Sequence, residues 1–167
     1  MMRSIQRYLG NAVDAALQAG QMSQKLLQDS DQCRPDWKTS SDFCTRVDRR
    51  LERLITNMLD QSSDVHSFLA EESADEDMPF PDGLLWVIDP IDGTIPMVMG
   101  KEYGILISLV RDKNPLLGVM YFPRSESLFA GDGHSFSKYD WQRRRLVRYD
   151  PPLSIESRLE HSKIAYE

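Results

Sequence analysis

Two aspartates three positions apart follow an apolar run, and this is the part of the chain best suited to chemistry. The run covers residues 84–88, and Asp89, Pro90 and Asp92 come directly after it. Its length and composition predict a buried strand, which we expect Pro90 to end because proline has no N–H donor. Across a tight turn the two carboxylates can converge on one point, where they need a cation between them. The pattern indicates a metal site, with a surface turn made of ordinary turn residues as the open alternative.

The next two residues are suited to an anion. Gly93 permits close approach of the backbone, and Thr94 adds a hydroxyl group. The N–H groups of Gly93 and Thr94 can therefore meet a phosphate at the start of a following turn or helix. Together with the aspartates, they predict a combined metal and phosphate site.

A second acidic group lies eighteen positions before Asp89. Glu71 and Glu72 follow a predicted strand at residues 65–70. Two neighbouring strand ends would bring Glu71, Asp89 and Asp92 to one rim, and carboxylates with retained waters are the ligands that Mg²⁺ prefers. Taken alone, the two glutamates fit a solvated acidic loop better than a metal site. Their pairing with the later motif favours a magnesium site.

Composition limits the classes of protein. The 167 residues are enough for one domain with a core, and 26 acidic against 20 basic residues give a net charge of -6. That charge disfavours nonspecific binding to nucleic acid or to an anionic membrane. Cys33 and Cys44 are too few for a disulfide scaffold. With no apolar run of signal-peptide or membrane-spanning length, we expect a cytoplasmic protein that binds neither nucleic acid nor membrane.

Two helices are predicted ahead of the acidic motifs. Apolar residues at helical spacing predict one long amphipathic helix over residues 5–28, with an interruption near Gly20. Residues 29–42 are polar and are expected to form a loop. Thr45 is the expected N-cap of a second helix, which places Asp48 in its first turn. The apolar stripe of this second helix consists of Val47, Leu51, Leu54, Ile55 and Met58.

Strands are predicted after the acidic turn. Residues 105–110 and 116–122 are apolar, β-rich runs, and the turn residues between them predict a hairpin or meander. Residues 127–130 and a short segment at 135–137 extend it. The remainder, from residue 140 onward, is charged and shows no regular pattern.

The acidic motifs resemble those of the inositol monophosphatase superfamily, the magnesium-dependent, lithium-sensitive phosphomonoesterases. Asp48 resembles the acidic position in that family's second helix. Residues 68–73 resemble its Glu-Glu-Ser signature, and residues 86–94 resemble its Asp-Pro-Ile-Asp-Gly-Thr signature. The order and the spacing also agree. The resemblance covers about residues 5–137 and rests on three separate motifs.

The resemblance implies an α+β, layered fold of the sugar-phosphatase type, in which two long helices pack on a largely antiparallel sheet. Residues 1–140 would form this metal-binding domain, and residues 141–167 would be a tail or the start of a missing carboxy-terminal domain. The family's second domain carries a Trp-Asp signature that completes the second metal site. Here only the reversed pair Asp140-Trp141 is present, and it lies outside that context.

The resemblance also implies roles for particular residues, in hydrolysis of a small phosphorylated metabolite with Mg²⁺ as cofactor. Inositol phosphates, histidinol phosphate and nucleoside bisphosphates all remain open as substrates. Thr94 and Glu71 would orient and deprotonate the attacking water, and Asp48 would support Thr94 or a further metal ion. Gly93 and Thr94 would bind the phosphate. The implied metal ligands are Glu71, Asp89, the backbone carbonyl of Ile91, and Asp92.

Two departures from the family pattern lead to alternatives. Without the second domain, the chain is alternatively a truncated, catalytically weak or inactive regulatory form that keeps a partial metal site. A half-protein would also expose apolar surface, from which we expect a homo-oligomer. Residues 95–97, Ile-Pro-Met, replace a more polar residue and an aromatic one, so the packing behind Thr94 is expected to differ.

Overall fold

Two helices packed on one face of a seven-stranded sheet form the fold of this protein. The computed structural model describes residues 2–29, 31–32, 36–37, 43–74, 81–133, 135–140 and 145–149. The helices are α1 (Met2–Leu26), α2 (Arg46–Ser62) and the short α3 (Thr94–Val98). The strands are β1 (Asp36–Trp37), β2 (Phe43–Cys44), β3 (Phe68–Ala70), β4 (Leu84–Asp92), β5 (Gly104–Arg111), β6 (Asn114–Phe122), β7 (Ser127–Gly131), β8 (Phe136–Asp140) and β9 (Arg145–Tyr149).

The sheet is largely antiparallel, as predicted. Strands β3 to β9 lie side by side in chain order, and β1 and β2 form a separate two-stranded pair. Only β3 and β4 run parallel among the neighbouring strands described in the large sheet. This parallel pair matters for the site, because the carboxyl ends of β3 and β4 then meet at one edge of the sheet.

The long first helix is confirmed, but the expected interruption near Gly20 is wrong. Helix α1 is continuous through this position. A Cβ atom on Gly20 would lie 2.3 Å from Cε1 of Tyr121 in β6. Helix α1 lies so close to the sheet at Gly20 that a side chain at this position would collide with Tyr121, and this explains the glycine.

The second helix begins where the sequence predicts. Thr45 is its N-cap: the side chain of Thr45 accepts a hydrogen bond from the Val47 N–H at 3.1 Å. Asp48 completes a capping box by accepting from the Thr45 N–H at 2.9 Å. The buried face of α2 contacts α1 and β4.

Strand β4 continues through Pro90 to Asp92, so the prediction that Pro90 ends it is wrong. The parallel partner β3 stops opposite Ile88. Beyond that point β4 has only β5 beside it, and its register with β5 shifts between Asp89 and Asp92. On the side of β4 where β3 has ended, no strand is present to accept a hydrogen bond from the backbone N–H of residue 90. A sheet tolerates proline at such a position. The two aspartates therefore lie at the end of a strand, as expected, but on a bulged continuation of it.

The predicted hairpin is confirmed and is tighter than expected. Strands β5 and β6 are joined by only two residues, Asp112 and Lys113, both with positive φ. This backbone twist matches that of the flanking strands. Strands β7 and β8 follow as predicted, and β9 pairs with β8. The sheet thus extends past residue 140, while the assignment of residues 141–167 to a tail or a further domain stays a prediction.

The two faces of the sheet differ. One face packs against α1 and α2 around buried residues such as Trp86, Ile105 and Ile107. The other carries an open apolar groove of about 720 Å³ lined by β5 to β8. Met120 and Phe136, which line it, are 38% and 41% exposed.

Within the described ranges no helix combines the length and the apolar character needed to cross a membrane.

Candidate active site

Asp48 joins the second helix to the end of β4. Its side chain is only 1% exposed. One carboxylate oxygen, Oδ2, accepts from the backbone and hydroxyl of Thr45 at 2.9 and 2.5 Å. The other, Oδ1, accepts from the hydroxyl of Thr94 at 3.0 Å. The structure therefore places these two predicted site residues in direct contact, and the buried charge of Asp48 has hydrogen-bond donors on both oxygens.

Gly93 forms the sharp turn between β4 and α3. Its φ of +94° is in the left-handed region, which glycine adopts without a steric penalty. Its carbonyl accepts from the Met97 N–H at 2.9 Å, which closes the first turn of α3. The turn carries Thr94 at the first position of the short helix, beside Asp48. The backbone conformation of this turn therefore favours glycine at position 93, whether or not a phosphate binds there.

Asp89 is the half-buried carboxylate of the site. Its Oδ1 accepts from the Ile91 N–H at 3.0 Å, which holds the side chain over the bulged end of β4. Burial raises the pKa of Asp89, and the negative charges of Asp92 and Asp48 raise it further. A hydrogen bond between the side chains of Asp89 and Glu71 acts in the opposite direction and lowers the pKa. Asp89 therefore lies among acidic side chains, in direct contact with Glu71.

Glu71 follows β3 and starts a turn that is held from two sides. Its N–H donates to the carbonyl of Ile88 in β4 at 3.1 Å. The N–H of the next residue, Glu72, donates to a side-chain oxygen of Glu52 at 2.6 Å. Glu52 lies in α2 and is 6% exposed. The sequence motifs did not include this residue, although its position four residues after Asp48 places it on the same helix face.

The carbonyl of Ile91 lies next to Thr94. The Thr94 hydroxyl is 3.4 Å from this carbonyl oxygen and 3.0 Å from Asp48. The shorter contact is to a charged acceptor, and such hydrogen bonds are the stronger ones, so the Thr94 proton points to Asp48.

The predicted metal ligands are brought together only in part. Glu71 and Asp89 are in contact, and the charges of Asp92 and Asp48 act on Asp89. Yet no group of three or more His, Cys, Asp or Glu side chains in the described ranges is arranged to hold a metal ion. The chemistry of this donor set fits magnesium, because it consists of oxygen atoms alone and its carboxylates repel one another.

An apolar patch borders the site. Met97 of α3 is buried, whereas Ile95, Val98 and Met99 are 51%, 40% and 64% exposed. The residue that follows Thr94 therefore points largely to solvent, and Met97 supplies the packing beneath α3.

The fold and the site together define a class of protein: an α+β protein with an oxygen-rich site where two adjacent strands end. The chain belongs to the inositol monophosphatase family, whose family model matches residues 4–165. Inositol monophosphatase 1 of Solanum lycopersicum is 36% identical over 131 residues, which are 77% of this chain and 47% of the relative.

Two bacterial proteins extend the comparison. The Nus factor SuhB of Escherichia coli (strain K12) is 32% identical over 135 residues, covering 78% of this chain and 50% of that protein. The crystal structure of the extragenic suppressor protein suhB from Bartonella henselae superposes with a TM-score of 0.69 at 26% identity. The match covers 80% of this chain and 51% of that one. The chain thus spans about half the length of the relatives it matches.

Proposed function

We propose that this chain carries the metal-binding and water-activating part of a magnesium-dependent phosphomonoesterase that acts on a small phosphorylated metabolite. The observation that carries the proposal is the pair of contacts at the ends of β3 and β4. Glu71 meets Asp89, and Asp48 holds the hydroxyl of Thr94 at 3.0 Å. Membership in the inositol monophosphatase family supports the same activity.

The carboxylates are the proposed magnesium ligands. Glu71, Asp89 and Asp92 would bind the ion together with the carbonyl of Ile91. When bound, magnesium supplies positive charge that lowers the pKa of water and neutralises phosphate oxygens. Without a cation, burial and neighbouring negative charge disfavour the ionised form of Asp89. Binding of a cation would remove this penalty, which is a physical reason for the site to take up an ion.

Thr94 is the proposed water-orienting group. Because its proton points to Asp48, its oxygen lone pairs are left to accept a hydrogen bond from water. That acceptance turns the lone pair of the water away from Thr94 and toward the phosphorus. Glu71 would take the second proton as general base. Asp48 fixes the direction of the Thr94 hydroxyl, and the N–H groups of Gly93 and Thr94 would receive phosphate oxygens.

Inositol monophosphate is the first substrate to test. The relative from Solanum lycopersicum bears the name of an inositol monophosphatase, and this supports an inositol phosphate ahead of histidinol phosphate or a nucleoside bisphosphate. All three share a phosphate ester on a small polar alcohol, so the chemistry of the proposed site serves each of them.

The proposal is tested by titrating the chain with magnesium chloride and then measuring phosphate release from the three substrates. Asp89→Asn should weaken magnesium binding by at least about 10-fold and abolish release, because it removes a ligand charge. Asp14→Asn, which makes the same replacement at an exposed position of α1, is the matched control and should leave magnesium binding and phosphate release unchanged. Binding and turnover that persist in Asp89→Asn would refute the site.

A second function is favoured by a different observation. The similarity to a Nus factor supports a regulatory or interaction role for the chain. The same titration separates the two. Magnesium binding without phosphate release supports the regulatory form, whereas clear phosphate release eliminates it.

Self-association belongs to the proposal as well. The open face of the sheet exposes Met120 and Phe136 beside an apolar groove. We propose that a second copy of the chain packs on this exposed apolar face.

A further inference from the structure

Glu52 is a buried acidic residue that none of the sequence motifs includes. It lies in the middle of α2 and is 6% exposed. Burying a carboxylate is costly unless hydrogen-bond donors surround it. A residue of this kind therefore needs an account of what its charge is used for.

The partner of Glu52 is a backbone group in the turn after β3. Its Oε2 accepts from the N–H of Glu72 at 2.6 Å. A short bond from an amide to a carboxylate is charge-assisted and is stronger than a bond between neutral groups. Helix α2 is in this way attached to the turn that begins at residue 71.

The same turn is attached to β4 by the preceding amide. The N–H of Glu71 donates to the carbonyl of Ile88 at 3.1 Å. The Cα atom of Glu71 lies between these two amides, so its position is fixed relative to both the strand and the helix. The Glu71 side chain starts from this Cα atom and reaches Asp89.

One face of α2 thus supports both halves of the site. Asp48 and Glu52 are four residues apart, which places them one above the other on a helix. Asp48 receives the hydroxyl of Thr94 after β4, and Glu52 receives the backbone of the turn after β3. Because α2 also packs on β4, a single rigid element sets the distance between the two turns.

We propose that Glu52 is a positioning residue, which holds the backbone beside Glu71 so that the Glu71 carboxylate is directed toward Asp89 for metal binding. The inference rests on the proposed function, because the group that Glu52 positions is a proposed metal ligand. Glu52 contributes an acceptor for one amide, and its charge is not needed at the metal.

The test compares two substitutions of Glu52 with an exposed control. Glu52→Met keeps the length of the side chain and removes the acceptor. Glu52→Gln removes the charge and keeps an oxygen that can accept from the Glu72 amide. Asp14→Asn on α1 is the control. Two quantities are measured on the full chain: hydrogen exchange of the Glu72 amide by NMR, and affinity for magnesium chloride by calorimetry.

We expect Glu52→Met to speed exchange at the Glu72 amide by about 10-fold, which corresponds to the loss of one hydrogen bond to a charged group. Its magnesium affinity should fall by about 10-fold, the lower end of the range for residues that support metal ligands. Glu52→Gln should restore both to within about threefold of the unchanged chain. If Glu52 only stabilised the fold, Glu52→Met and Glu52→Gln variants of equal thermal stability would have the same magnesium affinity.

The proposal is overturned if Glu52→Met leaves either the exchange of the Glu72 amide or the magnesium affinity unchanged. It is also overturned if Glu52→Gln binds magnesium as poorly as Glu52→Met, because charge and not amide acceptance would then be the cause. Failure of the proposed function looks different: the unchanged chain itself would not bind magnesium. In that case the exchange measurement alone decides whether Glu52 holds the turn.

Discussion

The same substitution at two glycines of α1 should change stability in opposite directions. Both Gly10 and Gly20 lie inside the helix, where alanine is favoured over glycine by about 1 kcal/mol. Nothing lies within 4 Å of a Cβ atom built on Gly10. A Cβ atom on Gly20 would be 2.3 Å from Cε1 and 2.8 Å from Cδ1 of Tyr121. Only Gly20 therefore faces a steric conflict.

The conflict at Gly20 outweighs the gain in helix propensity. Carbon atoms in contact lie about 3.5 to 4.0 Å apart, so the ring must move by more than about 1 Å. Tyr121 is 6% exposed, and α1 packs on β6, so little solvent space is available next to the ring. Overpacking of this kind costs about 1 to 3 kcal/mol. We expect Gly20→Ala to destabilise the chain by up to about 2 kcal/mol after a propensity gain of about 1 kcal/mol is subtracted.

Thermal unfolding followed by circular dichroism measures the difference. Gly10→Ala should raise the unfolding free energy by about 0.5 to 1 kcal/mol. For a chain of this size, 1 kcal/mol corresponds to about 2 to 4 °C, so the two variants should differ in Tm by about 1 to 12 °C, with Gly10→Ala the more stable. If Gly20→Ala proved as stabilising as Gly10→Ala, the close packing of α1 on β6 would be refuted.

Two further predictions concern the surface. The Tyr8 hydroxyl and the Arg7 guanidinium donate to Asp64 at 2.5 and 2.7 Å, and these contacts, the Tyr8 bond first, lower the pKa of Asp64 below 3.8. The ionised Asp64 carboxylate therefore stabilises the folded chain above pH 3.8, and this stabilisation is lost as the pH falls. The Tm of the unchanged chain minus the Tm of Asp64→Asn should become smaller between pH 7 and pH 3, and a difference that stays constant would contradict this. The open sheet face predicts concentration-dependent association in light scattering, which Met120→Lys should reduce; a monomer at every concentration would exclude it.

Local patterns were sufficient to predict most of the fold. The cap at Thr45, the hairpin turn and the strand before Asp89 each follow from a few neighbouring residues, whose preferences agree with the final structure. Candidate site residues could also be selected from sequence, because Asp48 and Thr94 are polar residues at predicted ends of elements; their roles stay predictions. The acidic residues Asp89 and Glu71 lie at such ends as well, and the structure places them in contact.

The features that sequence missed depend on contacts between distant segments. Pro90 could continue β4 only because β3 stops opposite Ile88, and no local pattern gives the length of a neighbouring strand. Gly20 has a purpose only once Tyr121 of β6 lies against it. In the sequence, Glu52 looks like an ordinary exposed glutamate on a helix surface. Its burial becomes evident only in the structure, where the turn after β3 packs on α2.

We propose that Glu71, Asp89 and Asp92 form one magnesium site together with the carbonyl of Ile91. Crystals of the chain soaked in manganese chloride test it directly, since Mn²⁺ has the oxygen preference of Mg²⁺ and gives an anomalous signal. We expect one strong anomalous peak within about 2.0 to 2.3 Å of oxygens from these four residues. No peak between the ends of β3 and β4, or a peak held by other residues, would contradict it.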